Sequence, residues 1–175
     1  LFTMQRMNPQ PNDKILQTLF NSTFLVTENT CLKGGASEPL YLPASDTAPA
    51  QIHYRDDYIA SVLHEISHWC IAGAKRREQE DYGYWYAPDG RDAAKQIEFE
   101  QVEVKPQALE LLFSKAIKLP FKVSIDNLNA PPDDKAEFEQ RVFKQAQLYE
   151  ETGLPDRAQQ WLDVLVFNNI DCSCL

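Results

Sequence analysis

The pentapeptide His64-Glu65-Ile66-Ser67-His68 constrains this chain more than any other feature of its sequence. Histidines four residues apart lie on the same side of an α-helix, about one turn from each other. Two imidazoles placed in this way can bind the same ion. The pattern therefore predicts a helix at this position and a divalent transition metal bound to its side.

The residues around the pentapeptide predict a helix that is covered on two faces. We expect Asp56 or Asp57 to cap it, and we expect it to run to about Ala72 with Gly73 as its stop. The histidines lie roughly opposite the apolar stripe, among small and mostly uncharged residues, so this face too should be covered and its imidazoles should need a polar partner. The apolar stripe consists of Ile59, Val62, Leu63, Ile66, Trp69 and Cys70.

Two histidines leave a metal ion with too few ligands, so a third ligand must come from elsewhere in the chain. The remaining histidine, His53, is expected to be a solvated strand residue. A dense group of carboxylates is the better source: Glu98, Glu100, Glu103 and Glu110. Glu103 is favoured because its β-branched neighbours indicate burial, and a buried carboxylate needs a cation. Glu100 is the next candidate, whereas Glu98 fits a solvated helix face.

The rest of the chain predicts an α+β fold, dominated by helix, in a single domain over residues 1–175. The C-terminal end of the motif helix is expected to be stabilised by Arg76 and Arg77. Pro106 should either kink the third helix or begin a new one. The other expected elements are a helix over 13–24, short strands over 24–54, a rigid loop or hairpin over 82–92, a helix from about Asp92, and helices over 133–152 and 155–167. The first strand is expected at Phe24–Val26, and the turns between strands include Gly34-Gly35.

Charge and composition exclude several classes of function. The formal net charge of −9 repels nucleic-acid phosphates and favours a cationic partner. The four cysteines show no disulfide framework, which predicts a reducing, cytoplasmic setting. No apolar run approaches the roughly 18 residues that a membrane helix requires, so we expect no membrane association.

Several ordered segments of the sequence resemble the bacterial elongation factor P hydroxylase family. They begin with His64-Glu65-Ile66-Ser67-His68-Trp69-Cys70-Ile71-Ala72-Gly73 and continue through Gly83-Tyr84-Trp85-Tyr86, Pro88-Asp89-Gly90-Arg91-Asp92 and the segment 99–109. The similarity covers most of residues 38–128. It is weaker in the helices expected beyond residue 133.

The resemblance implies an oxygen-dependent hydroxylation of translation elongation factor P, at a lysine that already carries a β-lysyl group. It implies a non-haem Fe(II) ion held by His64, His68 and Glu103, with dioxygen as co-substrate, and Zn or another divalent metal can replace iron in purified samples. It also implies that the metal helix is similar to that of zinc peptidases. A requirement for 2-oxoglutarate does not follow from it.

Further residues are candidates for substrate contact. Tyr84, Tyr86, Asp89 and Arg91 could line a channel for a long ammonium side chain, and Glu100 could pair with its charge. Glu65 is the catalytic candidate, since it could order water or protons next to a metal ligand. In a zinc peptidase the same glutamate would be the general base, so that class stays open, as does a metal-stabilised binding module without turnover.

Overall fold

The computed structural model describes residues 12–82, 93–125 and 132–175. The elements within these ranges confirm the predicted α+β class. The helices are α1 (Asp13–Thr27), α2 (Ile59–Ile71), α3 (Ala93–Ala116), α4 (Pro132–Thr152) and α5 (Asp156–Phe167), and the strands are β1 (Thr30–Ala36), β2 (Leu40–Leu42) and β3 (Ala50–Arg55). None of the helices in these ranges is long and apolar enough to cross a membrane.

The three strands form one small sheet in the order β1-β3-β2. β3 lies in the centre, parallel to β1 and antiparallel to β2. The side-chain amide of Asn21 on α1 donates to the Leu32 carbonyl and accepts from the Leu32 amide, so the helix is tied to the edge strand. The sheet therefore forms a platform from which the chain enters α2 directly after β3.

Two details of the predicted sheet were wrong. The extended segment expected at Phe24–Val26 is the last part of α1, because Phe24 continues the buried face that Leu16 and Phe20 begin. The expected turn at Gly34-Gly35 lies inside β1, where the register shifts. A side chain at Gly34 would collide with the ring of Tyr54, and this close approach explains the glycine.

The apolar stripe predicted for α2 is buried as expected. Its N-terminal cap differs from the prediction, because Tyr58 occupies that position and no side chain completes the cap. Asp56 instead takes a positive φ of 47° in the turn after β3. The buried stripe, rather than a cap, therefore fixes the helix in place.

The residue that stabilises the C-terminal end of α2 is Arg157, not Arg76 or Arg77. Its guanidinium donates to the carbonyls of Trp69 at 2.8 Å, Cys70 at 3.3 Å and Ala72 at 2.7 Å. It also lies 4.7 Å from the centroid of the Trp69 ring. The two predicted arginines lie in the next turn, where they pair with Asp81 and Glu28. A distant helix thus provides the cation, which the local sequence pattern could not indicate.

α3 is a single helix that contains Pro106, so no new helix begins there. Proline has no amide hydrogen, and the Val102 carbonyl therefore lacks its usual intrahelical partner. α4 and α5 agree with the predicted C-terminal helices to within one residue at each end. All five α-helices of the described ranges contribute to one core. Within it, Phe20 and Phe24 contact each other and the rings of Trp69 and Trp161, with ring centroids 4.8–6.4 Å apart.

We predict that Arg157→Ala lowers the free energy of unfolding by roughly 2–3 kcal/mol, because it removes charged hydrogen bonds to the end of α2. Urea denaturation measures this loss. Lys144→Ala is the control, since Lys144 is an exposed cation on α4, and it should change stability by no more than about 0.5 kcal/mol. Equal stability of the two variants would show that the contacts of Arg157 do not hold α2.

Candidate metal centre

Three side chains from α2 and α3 converge on one point. The Nε2 atoms of His64 and His68 lie 3.2 Å apart. Glu103 brings Oε1 to 3.1 Å from Nε2 of His68 and Oε2 to 3.8 Å from Nε2 of His64. The structure therefore brings together the residues that the spacing and the carboxylate group had indicated.

The geometry of these three residues fits a metal ion. One ligand atom from each residue can be chosen so that all lie within 4.8 Å of one another. Two nitrogens bound to one ion at about 2.1 Å, at an angle between tetrahedral and right-angled, are separated by about 3.0–3.4 Å. The observed separation of the two Nε2 atoms falls in that interval. Two imidazoles and one carboxylate, a donor set suited to Fe(II) or Zn²⁺, could thus hold a divalent ion.

One face of α3 supplies the carboxylate and two further polar groups. Glu103, Gln107 and Glu110 follow one another at intervals of four and three residues, so they lie along the same side of the helix. Glu110 Oε2 accepts a hydrogen bond of 2.9 Å from Nδ1 of His64. This contact turns the other ring nitrogen of His64 toward Glu103 and His68.

The sequence pattern indicates Glu110 only as a member of the carboxylate group and does not predict this contact with His64. The available signal was its distance of seven residues from Glu103, which places both carboxylates on one helix face. The sequence could not show that this face lies against α2. That depends on how the two helices pack.

Gln107 connects Glu103 to the segment that follows α3. Its Nε2 donates to Oε2 of Glu103 at 3.2 Å and to the Ser124 carbonyl at 2.6 Å. Its Oε1 accepts from the Ser124 amide at 3.0 Å. Because Gln107 is almost completely buried, these bonds hold the Glu103 carboxylate and the neighbouring backbone in a fixed relation.

In the absence of a metal ion, the histidines and glutamates of the cluster stabilise one another's charged forms. Burial alone would lower the pKa of His64, but the hydrogen bond and charge of Glu110, with the charges of Glu103 and Glu65, raise it to about 10. Burial alone would raise the pKa of Glu103, yet the charges of His68 and His64 and hydrogen bonds from His68 and Gln107 lower it well below its usual range. The carboxylate therefore stays ionised, and a metal ion would replace the proton on His64.

Glu65 faces the same cavity as the two histidines. Burial raises its pKa, and the charges of Glu103 and Asp81 act in the same direction, whereas those of His64 and His68 oppose them. The protonated form of Glu65 is therefore favoured more than in an exposed glutamate. A carboxyl group of this kind next to a metal ligand can accept or release a proton.

Of the other residues predicted to contact substrate, only Glu100 lies in the described part of the chain. Glu100 is buried, and its carboxylate accepts hydrogen bonds from Gln96 at 3.2 Å and from Arg141 on α4. It is not among the described residues that line the cavity, and its contact with substrate stays a prediction. Tyr84, Tyr86, Asp89 and Arg91 lie outside the described residues. His53 is partly buried and contacts Gln51 at 3.0 Å.

A cavity of about 770 Å³ opens over the cluster. Its wall includes His64, His68, Glu103 and Glu110 together with residues of the sheet, of the turn after α2 and of the segment after α3. Tyr82 also lines it. This space is sufficient for a long side chain to reach the cluster from outside.

The fold and the cluster define an α+β protein in which His64, His68 and Glu103 could hold a metal ion. A family model described as elongation factor P hydroxylase matches residues 19–170. The chain is also 47% identical over 149 residues to "Elongation factor P lysine hydroxylase" of Haemophilus influenzae, which covers 85% of this chain and 84% of that protein. The chain therefore belongs to the elongation factor P hydroxylase family.

The pKa of His64 predicts how the metal-free protein responds to pH. Because the folded value is raised from 6.5 to about 10, the contact with Glu110 stabilises the fold fully below pH 6.5, and this contribution is lost as the pH rises through about 10. In the presence of a chelator, the free energy of unfolding should therefore fall more between these values in the wild-type protein than in Glu110→Gln.

Urea denaturation at several pH values tests this difference. Glu98→Gln removes an exposed carboxylate from the same helix and serves as the control that should keep the wild-type profile. Parallel profiles of the wild-type protein and Glu110→Gln would contradict the assigned contact.

Proposed function

We propose that this protein hydroxylates the β-lysylated lysine of translation elongation factor P, in a reaction that uses Fe(II) and dioxygen. The observation that carries the proposal is the convergence of His64, His68 and Glu103 in a chain of a family described as hydroxylases. The Haemophilus influenzae relative carries a name that states the same factor and the same amino acid. The β-lysyl group, the iron and the use of oxygen follow from the resemblance noted in the sequence.

His64, His68 and Glu103 would hold the iron. Two imidazoles and one carboxylate are the protein ligands of one class of non-haem Fe(II) oxygenases, and the three residues that would hold the ion line the cavity. The bound iron would supply the activation of dioxygen that a C–H bond requires. One oxygen atom enters the C–H bond, and the other is reduced to water by two electrons from a reductant and two protons.

Residues around the ligands would position the reactants. Glu110 fixes the ring of His64 through its Nδ1 atom, and Gln107 fixes the carboxylate of Glu103. Glu65 lines the cavity beside His64 and, with its raised pKa, can hold one of the protons that the reduction consumes. Glu110 and Gln107 would thus orient the ligands, and Glu65 would handle a proton.

The substrate would enter as a long, flexible side chain with ammonium groups. The carboxylates in the cavity wall attract such groups, and the most buried of them lie at the metal cluster. A β-lysylated lysine is longer than lysine, so its tip can approach the cluster while the protein that carries it stays outside the cavity. This supports the modified form of the factor as the substrate.

Mass spectrometry of elongation factor P tests the function. We expect incubation with iron-loaded protein, a reductant and oxygen to add one oxygen atom to the β-lysylated factor, and the unmodified factor to react much less. Glu65→Gln removes a proton-carrying group at nearly constant shape and should slow the reaction about 10²–10⁴-fold. Cleavage of the factor would instead support the zinc peptidase, in which Glu65 is the general base.

Metal binding can be measured separately from turnover. His68→Ala removes one ligand, and we expect it to lose bound metal and activity while the fold remains, since His68 is partly exposed at the cavity. Glu110→Gln should weaken metal affinity by about 10–100-fold, because the Glu110 carboxylate orients His64 without binding the ion itself. Glu98→Gln is the control, with unchanged affinity.

Anaerobic purification followed by elemental analysis and calorimetric titration measures these effects. Anaerobic handling keeps iron as Fe(II), and zinc-free buffers are required because such a site binds Zn²⁺ more tightly than Fe²⁺. Full iron content in His68→Ala would show that the ligand set is wrong.

A further inference from the structure

The charge of the cavity wall changes sign between its floor, formed by Glu103 and Glu110, and its mouth, formed by Arg55 and Lys122. Among the described lining residues, the most buried charged groups are carboxylates: Glu103 has 3% of its side chain exposed and Glu110 has 13%. The most exposed charged groups are cations, because Arg55 has 64% of its side chain exposed and Lys122 is also exposed. An ammonium group is therefore favoured at the floor and an acidic group at the mouth.

The charged residues between these two levels largely neutralise each other. Arg76 and Asp81 form an ion pair at 2.5 Å, and Arg77 lies 3.5 Å from Glu28. Arg55 lies 3.5 Å from Asp56, but both side chains are at least half exposed. An exposed pair of this kind contributes little to stability and can be exchanged for another partner.

Two large apolar side chains lie at the same mouth. Tyr82 is 55% exposed and Val102 is 54% exposed, and both line the cavity. Exposed apolar side chains that share a cavity wall with exposed cations are compatible with a surface that a second protein covers. In a chain with a formal net charge of −9, cations at this position contrast with the overall charge.

We propose that Arg55, Tyr82, Val102 and Lys122 form the docking surface for the protein substrate, and that the surface it receives carries acidic residues around the modified lysine. This inference rests on the proposed function, in which the lysine side chain reaches the floor while the body of its protein remains at the mouth. Acidic groups beside the lysine would meet the two cations and would be repelled by the carboxylates of the floor. The change of sign therefore also directs the substrate into one orientation.

Binding of elongation factor P to a double variant, Arg55→Glu with Lys122→Glu, tests the inference. We expect about 5- to 20-fold weaker binding in low salt, mainly through slower association, because charges at the rim of an interface steer the encounter. The affinity should fall by the same ratio for unmodified and for β-lysylated elongation factor P, since the mouth contacts the protein rather than the modification. In turnover, KM for the factor should rise more than kcat falls.

The matched control is Lys33→Glu with Lys144→Glu, which changes the net charge by the same amount at two exposed lysines that do not line the cavity. Its binding should change by less than about twofold. Equal weakening in both double variants would show a general effect of charge, and wild-type binding by the mouth variant would overturn the docking surface. The unfolding midpoint of each variant excludes a loss of fold.

Failure of the docking surface can be distinguished from failure of the proposed function. If the wild-type protein hydroxylates the factor and the mouth variant binds it as tightly, only the docking surface is wrong. If the wild-type protein neither binds nor modifies the factor, both inferences fail. The mouth variant could also lose binding to nucleic acid while its binding to elongation factor P stays unchanged. That result would assign these cations to a different partner and overturn the inference.

Discussion

The packing of α2 against α3 determines the rest of the site. The apolar stripe of α2 is buried in the core, so its histidines must face away from that stripe, toward α3. On the facing side of α3 lie Glu103, Gln107 and Glu110. Each histidine then has an acidic neighbour, and the carboxylate of Glu103 can be buried because two imidazoles and an amide stabilise its charge.

This packing is itself maintained by contacts far along the chain. Arg157 of α5 binds three carbonyls at the end of α2 and lies over Trp69, whose ring belongs to the aromatic part of the core. Gln107 joins α3 to the backbone at Ser124, which lines the cavity. The candidate metal centre is therefore connected on one side to the core and on the other to the cavity wall. A change in either region would alter the distances between the ligand atoms.

The distribution of charge relates the site to its proposed substrate. A uniformly acidic cavity would attract any cation, including metal ions and free amines, without orienting them. Buried carboxylates at the floor with cations at the mouth instead favour a ligand that is positive at its tip and negative at its base. A modified lysine on an acidic protein surface has that arrangement, which is how the docking inference and the proposed function support each other.

The sequence by itself determined the α+β class, the helix that carries His64 and His68, its buried stripe and the preference for Glu103. These depend on local periodicity and on the rule that a buried carboxylate needs a cation. Only the tertiary structure decided that Glu110 contacts His64 and that Arg157, rather than Arg76 or Arg77, stabilises the end of α2. Both contacts join residues more than 40 positions apart, and the direction in which a helix face points is set by packing with distant elements, which no local pattern contains.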